Sequence, residues 1–304
     1  MGAPVVAGID VGGTRVKAAL VDRDGVQVTT SLTPTPPDLH RPGALVDALA
    51  RTFDQLRAQA PEAEVVACGV VVPGIVDDER GLAVYSSNLG WRDLAVTAPL
   101  TQRLGLPVAL GHDVRAGLRA EVEWGAARGS RHVLFLPLGT GIAGALMLDG
   151  HLVVADGWSG EVGHVIVEPG GPLCPCGARG CLETLASASA VARGYAAHVP
   201  PGAPPVDARG VASLVADGDP EALAVWDRAV TALSRAVAML VSATGVDHVL
   251  VGGGLSQSGD LLLEPLRAKV QDTLTFQRMP RIERATLGDR AGSLGSACLA
   301  WDLS

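Results

Sequence analysis

Three of the five cysteines in this chain lie within eight residues of one another, and a histidine precedes the first of them by ten residues. Glycines between these cysteines let the backbone turn tightly enough for several sulfur atoms to face one point. Three thiolates and an imidazole form a common closed tetrahedral shell for zinc. The spacing therefore predicts a structural zinc site with the ligands His164, Cys174, Cys176 and Cys181. A turn with free thiols, or one disulfide with one free thiol, is the alternative interpretation.

Two glutamates flank this cluster. Glu161 lies three residues before His164, and Glu183 lies two residues after Cys181. Because a closed zinc shell leaves no position for water, the metal would hold the loop in place and would not act as the catalyst. One ring nitrogen of His164 would bind the metal, and the other would be directed at a ligand. Carboxylates and an imidazole in fixed positions suit a ligand rich in hydroxyl groups, since each hydroxyl needs a partner once it leaves water.

Two glycine-rich turns with a threonine at the tip each join two apolar, strand-like runs, within residues 5–21 and 132–148. Backbone N–H groups in such turns approach phosphate oxygens, and the threonine hydroxyl adds a donor. A carboxylate just before the first turn would hold a water molecule on Mg²⁺. The predicted phosphate-binding residues are Asp10, Gly12, Gly13, Thr14, Gly139, Thr140 and Gly141. An ordinary hairpin is the alternative for either turn alone, but the repetition suggests two related halves around a nucleotide.

Three further places combine a useful chemical group with a turn or the end of a strand. Asp113 follows a short apolar strand and begins a helix, where a carboxylate accepts a hydroxyl proton or, alternatively, caps the helix. Asn88 both donates and accepts hydrogen bonds, as sugar hydroxyls require, or else caps a local turn. Gly253 and Gly254 follow the strand over 246–251 and leave space for adenine or ribose, or form a plain strand–helix turn.

The elements that must position these groups are visible in the apolar spacing. Hydrophobic residues make up 48% of 304 residues, which is enough for the cores of two modest domains. Residues 291–299 are small and suit a helix packed closely on the N-terminal part. Apolar residues recur at helical spacing over residues 43–60, 208–216, 220–244 and 261–273.

Charge and composition exclude several function classes. A net charge of −8 argues against a general nucleic-acid binder. No apolar run reaches the roughly 18 to 20 residues that a membrane span requires. Clustered cysteines without a secretion signal favour metal binding over disulfides and predict a cytoplasmic protein. Together with the charge and the apolar runs, this predicts no nucleic-acid or membrane partner.

The order of the motifs carries a resemblance to a known family. E-x-G-H followed by C-x-C-G-x-x-G-C-L-E resembles the zinc loop of the ROK family of sugar kinases and sugar-responsive repressors. D-V-G-G-T is similar to the first phosphate loop of the actin-like ATPase superfamily, to which ROK proteins belong. The resemblance implies an α/β, two-domain actin-like ATPase (ribonuclease H-like) fold with an inserted structural zinc loop. Residues 1–112 plus 289–304 would form the N-terminal domain, and residues 113–288 the larger C-terminal domain.

The same resemblance implies transfer of the γ-phosphoryl group of ATP, carried with Mg²⁺, to the 6-hydroxyl group of a hexose. Asp113 would be the general base, and Gly253 and Gly254 would adjoin the adenosine. The N-L-G-W sequence around Asn88 favours glucose. The sugar-binding residues that the resemblance implies are Asn88, His112, Asp113, Glu161, His164 and Glu183. Family members assemble as homodimers or homotetramers, and we expect the same here.

The chain departs from the family at one functional segment. The family has N-D-A-N-A around its catalytic aspartate, whereas here His112 precedes Asp113 and Val114-Arg115 follow it. Histidine also donates a hydrogen bond, so the sugar contact of the usual asparagine is retained in this interpretation. A kinase for N-acetylmannosamine, N-acetylglucosamine or fructose, and a non-catalytic sugar-sensing regulator, are the alternatives. Polyphosphate is an alternative phosphoryl donor. Against a sugar-responsive repressor, we expect the seven residues before Gly8 to be too few for a DNA-binding helix-turn-helix.

Overall fold

The computed structural model describes residues 3–86, 88–200 and 202–304. In this part of the chain there are thirteen β-strands and nine α-helices. They form two compact units. The first unit contains the chain up to Arg128, Val154–Trp158 and the residues from Asp289 onward; the second contains Gly129–Val153 and Ser159–Gly288.

The strands of the first unit are β1 (Pro4–Val11), β2 (Arg15–Val21), β3 (Gln27–Pro34), β4 (Glu64–Val72), β5 (Ile75–Asp77), β6 (Leu82–Ser86), β7 (Trp91–Ala95) and β8 (Val108–His112). Those of the second unit are β9 (Val133–Pro137), β10 (Ala145–Leu148), β11 (His151–Leu152), β12 (His248–Gly252) and β13 (Arg281–Arg284).

The helices are α1 (Ala44–Gln59), α2 (Thr97–Leu104), α3 (Asp113–Trp124), α4 (Leu182–Ala186), α5 (Ala188–Ala196), α6 (Ala208–Ala216), α7 (Pro220–Thr244), α8 (Asp260–Thr273) and α9 (Ala291–Trp301). The first three and α9 belong to the first unit. All the helices predicted from apolar spacing are present, and the bounds of α6 and α7 match the predicted ones.

The main sheet of the first unit has the strand order β3-β2-β1-β4-β8. The pairs β1–β2 and β2–β3 are antiparallel, whereas β1, β4 and β8 run parallel. Because parallel strands end at the same edge of a sheet, Asp10 near the end of β1 and His112 at the end of β8 lie on one side of it. The edge strand β3 alternates between partly buried and exposed residues, while β1 is almost wholly buried between α1 and α9.

The sheet of the second unit repeats this design. Its strand order is β11-β10-β9-β12-β13, with two antiparallel pairs followed by two parallel ones. In both units the hairpin that opens the sheet carries the glycine-rich turn with a threonine. The internal repetition predicted from these two turns is therefore confirmed at the level of sheet topology.

The small residues of α9 allow it to lie directly on the first sheet. A Cβ atom at Gly8 would be 2.2 Å from the carbonyl oxygen of Ser293, and one at Gly69 would be 1.8 Å from that of Ser296. The helix therefore touches the backbone of β1 and β4, and only glycine fits at these two strand positions. The close packing predicted for residues 291–299 is confirmed.

A second sheet in the first unit, with the order β5-β6-β7, follows β4 in the chain. Trp91 at the start of β7 is 1% exposed, so it belongs to the core. The division that we predicted at residue 113 places α3 with the second domain, whereas α3 lies in the first unit. Of the helices in the described residues, none has the length and apolar character needed to cross a membrane.

Candidate active site and metal centre

The predicted zinc ligands lie together in the second unit. The ligand atoms of His164, Cys174, Cys176 and Cys181 all lie within 4.8 Å of one another. The Sγ atoms of Cys176 and Cys181 are 3.7 Å apart, and Cys174 Sγ is 3.6 Å from His164 Nδ1. Ligands held about 2.0–2.3 Å from zinc in a tetrahedron lie about 3.5–3.8 Å apart, so these groups fit zinc in number, type and spacing.

The backbone around the cluster requires its glycines. Gly180 has a φ of +79°, and a Cβ atom there would be 1.7 Å from the carbonyl oxygen of Glu168. Short antiparallel bridges join Ile166 to Cys181 and Leu173 to Arg179, which brings the two ends of the loop together. The tight turning that the sequence predicted for this segment is therefore present.

The environments of the thiols differ in a way that suits a bound cation. The backbone N–H of Ala178 and the neighbouring thiols lower the pKa of Cys176 to about 7. Burial raises the pKa of Cys181 to about 12, so a cation is needed to hold that sulfur as a thiolate at neutral pH. On the other side of the ring, His164 Nε2 lies 3.8 Å from Glu161 Oε2, which leaves this nitrogen directed away from the sulfur atoms.

The first glycine-rich turn, between β1 and β2, is open to a ligand. The Gly12 N–H donates to the carbonyl of Arg15 at 3.0 Å, and the Thr35 hydroxyl donates to the carbonyl of Gly12 at 2.7 Å. Gly13 and Thr14 at the tip are exposed, and a Cβ atom at Gly13 would meet nothing within 4 Å. The turn is therefore fixed at its base and free at its tip, as a phosphate-binding turn must be.

Asp10 lies beside this turn in a setting that disfavours its charge. Burial, and then the charge of Asp113, raise the pKa of Asp10 to about 7, while Lys17 acts in the opposite direction. A Cβ atom at Gly292 would lie 2.1 Å from Asp10 Oδ2, so the carboxylate rests on the first turn of α9. A carboxylate that is costly to ionise alone is well suited to a place beside a divalent cation.

Asp113 is the first residue of α3, and His112 is the residue that caps the helix. His112 Nδ1 accepts a hydrogen bond from the Arg115 N–H at 3.4 Å, so the ring proton resides on Nε2. That nitrogen lies 3.4 Å from Asp113 Oδ1. The hydrogen bond to Oδ1 comes from the Val114 N–H at 2.8 Å. Burial raises the pKa of Asp113 to about 6, so this carboxylate is a stronger base than an ordinary aspartate.

Asn88 lies in the turn between β6 and β7 and is exposed. The Gly90 N–H donates to the Ser86 carbonyl at 2.9 Å and closes that turn without the side chain of Asn88. The turn connects two strands of the β5-β6-β7 sheet, and the sequence did not predict this sheet.

The second glycine-rich turn is held by Glu183. Glu183 Oε2 accepts a hydrogen bond from the Ile142 N–H at 2.8 Å, and a Cβ atom at Gly141 would lie 2.4 Å from the same oxygen. Within the turn, the Gly139 N–H donates to the Gly141 carbonyl at 3.0 Å. One oxygen of Glu183, which we predicted to contact a sugar, thus also fixes the second phosphate turn.

A cavity of about 600 Å³ adjoins the predicted adenosine turn in the second unit. Its lining includes Gly254, Leu255 and Ser258 on one side and Ala208 and Ala212 of α6 on the other. Gly253 is needed for the backbone itself: its φ is +76°, and a Cβ atom there would lie 2.5 Å from the Leu138 carbonyl oxygen. The contribution of α6 to the lining of this cavity was not predicted, because apolar spacing does not indicate which helix face borders a ligand.

Sequence reasoning also missed an ion pair beside the candidate base. Arg115 Nη2 donates to Asp78 Oδ1 at 3.0 Å and to Asp78 Oδ2 at 3.4 Å. The departure from the family at Arg115 was the available signal, but its partner lies 37 residues earlier in the chain. The candidate residues thus form two groups. Asp10, Gly12, Gly13, Thr14, Asn88, His112 and Asp113 are in the first unit, and Gly139, Thr140, Gly141, Glu161, His164, Glu183, Gly253, Gly254 and the cysteines are in the second.

Comparison with known proteins agrees with the predicted fold. The ROK family profile matches residues 6–302. A glucokinase of Thermotoga maritima is 36% identical over 307 residues, covering 96% of each chain, and an N-acetylmannosamine kinase of Citrobacter koseri is 30% identical, covering 96% of this chain and 97% of that one. A ROK family glucokinase from Streptomyces griseus, crystallised with glucose and AMPPNP, has a TM-score of 0.83 and 30% identity, covering 98% of this chain and 99% of that one. The predicted α/β actin-like ATPase fold and the predicted family are confirmed: this chain belongs to the ROK family.

Proposed function

We propose that this protein is an ATP-dependent hexose kinase that transfers the γ-phosphoryl group of ATP to the 6-hydroxyl group of glucose. The observation that carries the proposal is Asp113, whose pKa is raised to about 6 beside the first phosphate turn. Family membership and the glucokinases among the relatives support it, as does the Streptomyces griseus protein that binds glucose and AMPPNP.

Asp113 accepts the proton of the attacking hydroxyl. Phosphoryl transfer has a loose transition state, so catalysis rests on positioning, on charge neutralisation and on a carboxylate that receives the proton. With a pKa of about 6, Asp113 is mostly ionised at neutral pH and is still basic enough to take part. The hydrogen bond from the Val114 N–H goes to Oδ1, which leaves Oδ2 for the sugar in this proposal.

The proposed phosphate-binding residues are Gly12, Gly13 and Thr14 in the first glycine-rich turn and Gly139, Thr140 and Gly141 in the second such turn. Mg²⁺ that arrives with ATP neutralises charge on the phosphates. Asp10 is the residue that would hold a water molecule of that ion, because burial and the charge of Asp113 make its carboxylate costly to ionise without a nearby cation.

The proposed sugar-binding residues are those with hydrogen-bonding side chains at the predicted positions: Asn88, His112, Asp113, Glu161, His164 and Glu183. His164 and the three cysteines would hold zinc, which would fix the imidazole. Nδ1 faces Cys174 Sγ, and Nε2 lies near Glu161. The metal is structural in this proposal, since three thiolates and an imidazole complete a tetrahedral shell.

The adenosine part of ATP occupies the cavity between α6 and the turn at Gly254. A cavity of about 600 Å³ with apolar walls suits a nucleoside, whereas polyphosphate would make no use of it. This favours ATP over polyphosphate as the donor. We further propose a cytoplasmic protein that assembles as a homodimer or homotetramer.

The test is ADP release from Mg-ATP with glucose, mannose, fructose, N-acetylglucosamine and N-acetylmannosamine, with Asp113→Asn as the inactive control. A strong preference for glucose supports the proposal. The relative from Citrobacter koseri makes N-acetylmannosamine the second candidate, and a preference for it would keep the fold and the base but replace the substrate. No turnover with any of these sugars would contradict a hexose kinase.

A further inference from the structure

Arg115 is the most deeply buried charged side chain near the candidate base. It lies two residues after Asp113 in the first turn of α3, and its side chain is 4% exposed. Nη2 bonds both oxygens of Asp78, but Nη1 is buried and has no hydrogen-bond partner among the described residues. A buried guanidinium with an unused donor needs an explanation beyond its single ion pair.

The ion pair joins two elements that carry proposed sugar-binding groups. Arg115 belongs to the helix that begins at Asp113, and Asp78 lies in the turn just after β5. The same three-stranded sheet continues through β6 and β7, with Asn88 in the turn between them. Asp78 is 34% exposed, so the pair is buried at its arginine end and open at its carboxylate end. All these residues belong to the first unit.

We propose that Arg115, with Asp78 as its partner, is a positioning residue for phosphoryl transfer that fixes Asp113 relative to the sheet carrying Asn88. This inference rests on the proposed kinase function and adds a residue to its machinery. Arg115 acts in two ways: its ion pair connects the two elements, and its positive charge stabilises the carboxylate form of Asp113.

Stability alone does not account for the pair. Moving two charges out of water costs about as much as their attraction returns, and an apolar pair of similar size is often as stable. The unsatisfied Nη1 adds to that cost. A cation beside a carboxylate that must stay ionised has a local function that an apolar residue lacks.

The charged groups around Asp113 come from several elements. Arg115 on α3 lowers the pKa of Asp113 and opposes the effect of burial. His112 at the end of β8 lies 3.4 Å from Oδ1, and Asp113 in turn raises the pKa of Asp10 on β1. Burial works against ionisation of Asp113, and the hydrogen bond from the Val114 N–H and then the charge of Arg115 favour it. Arg115 is thus the fixed positive charge that favours the carboxylate form.

The experiment compares pH profiles of kcat and of kcat/KM for glucose in three variants. Arg115→Met keeps the length of the side chain and removes its charge, Arg115→Lys keeps the charge, and Asp78→Asn removes the partner. Arg119→Met is the matched control. It lies one turn further along α3, bonds Asp302 at 2.9 and 3.2 Å and is 32% exposed.

We expect Arg115→Met to move the acid limb of the kcat/KM profile upward by about one pH unit, because loss of an opposite charge raises a carboxyl pKa by that amount or more. Arg115→Lys should leave the acid limb in place and lower kcat less than Arg115→Met does. Asp78→Asn should raise KM for glucose without an upward shift of the limb, since Arg115 keeps its charge. Arg119→Met should change neither quantity.

An Arg115→Met enzyme with an unchanged limb and unchanged kcat would overturn the inference, as would the same changes in Arg119→Met. If Arg115→Met does not fold, Arg115→Lys and Asp78→Asn test the inference. Arg115→Lys should leave the acid limb in place, and Asp78→Asn should raise KM for glucose without moving the limb. Absence of turnover in the wild type refutes the proposed function, and thermal unfolding then tests the inference without activity. The stabilisation produced by Asp113→Asn at about pH 8 should be larger in the Arg115→Met background than in the wild type, because the ionised Asp113 is less favourable without the neighbouring positive charge. Equal values in the two backgrounds would contradict the inference.

Discussion

At the scale of single residues, the proposed mechanism depends on Asp113 as the general base. The substitution Asp113→Asn keeps the size of the side chain and an oxygen that accepts from the Val114 N–H, but it removes the basic carboxylate. We expect turnover to fall by about 100- to 10,000-fold, which is the typical contribution of a positioned general base. Glucose affinity should change by less than about tenfold, since an amide oxygen still accepts a hydrogen bond. Steady-state kinetics and calorimetric titration with glucose measure the two effects, and normal turnover would contradict the assignment.

The pH dependence of the reaction follows from the pKa of the same residue. Burial raises the pKa of Asp113 to about 6, and the base must be ionised to accept a proton. We therefore expect kcat/KM to rise with pH through about 6 and to level off above it, as a profile measured from pH 5 to about 9 would reveal. An ordinary aspartate would place the midpoint near pH 4. A profile that is flat between pH 5 and 7 would contradict a base with a pKa near 6.

The sequence revealed some of these residues and not others for a physical reason. Asp113 was predictable because a short apolar strand ends just before it, and a carboxylate at such a junction is exposed to a ligand. The pairing of Arg115 with Asp78 depends on a hairpin that brings together residues 37 positions apart. The capping role of His112 was also missed, because histidine is not a common residue at that position.

At the scale of elements, the zinc loop is the part whose integrity other groups need. Cys176→Ala should lose zinc and glucose affinity together, because the loop then no longer fixes His164 and Glu161. Zinc content by mass spectrometry and glucose affinity by calorimetry measure this. Cys68→Ala is the control, since Cys68 is a buried cysteine of β4 in the other unit. Stoichiometric zinc in Cys176→Ala would contradict the ligand set.

Glu183 connects this loop with a phosphate turn. It lies in α4, two residues after the last predicted zinc ligand, and accepts a hydrogen bond from the Ile142 N–H of the second turn. The zinc loop, α4 and the turn are therefore mechanically continuous. Sequence spacing predicted the loop and the turn separately, but not this hydrogen bond, since the two partners are 41 residues apart.

At the scale of the whole molecule, ligand binding should be visible as a gain in stability. A ligand at about 100 times its Kd stabilises a protein that binds it only when folded by about 2.7 kcal/mol. We expect glucose to raise the unfolding temperature more than N-acetylmannosamine does at the same concentration, in a thermal shift measurement without ATP. The opposite order would favour the second candidate substrate, and Asp113→Asn provides a control that binds without turnover.

Family membership accounts for the repeated strand order of the two units, and the sequence indicated that repetition through its two glycine–threonine turns. The sheet formed by β5, β6 and β7 was not foreseen because its strands are short, at three to five residues. Such strands have too few residues for a pattern of alternation to be distinguished from a loop.

The position of α9 has a consequence for how the chain folds as it is synthesised. The helix packs on β1 and β4 through Gly8 and Gly69, yet it follows the entire second unit in the sequence. The ribosome therefore releases the first sheet long before the helix that covers it, and one face of β1 and β4 waits uncovered while residues 129–288 are made. Domains commonly complete their folding in order from the N-terminus. Here the unit that begins first is the one that finishes last.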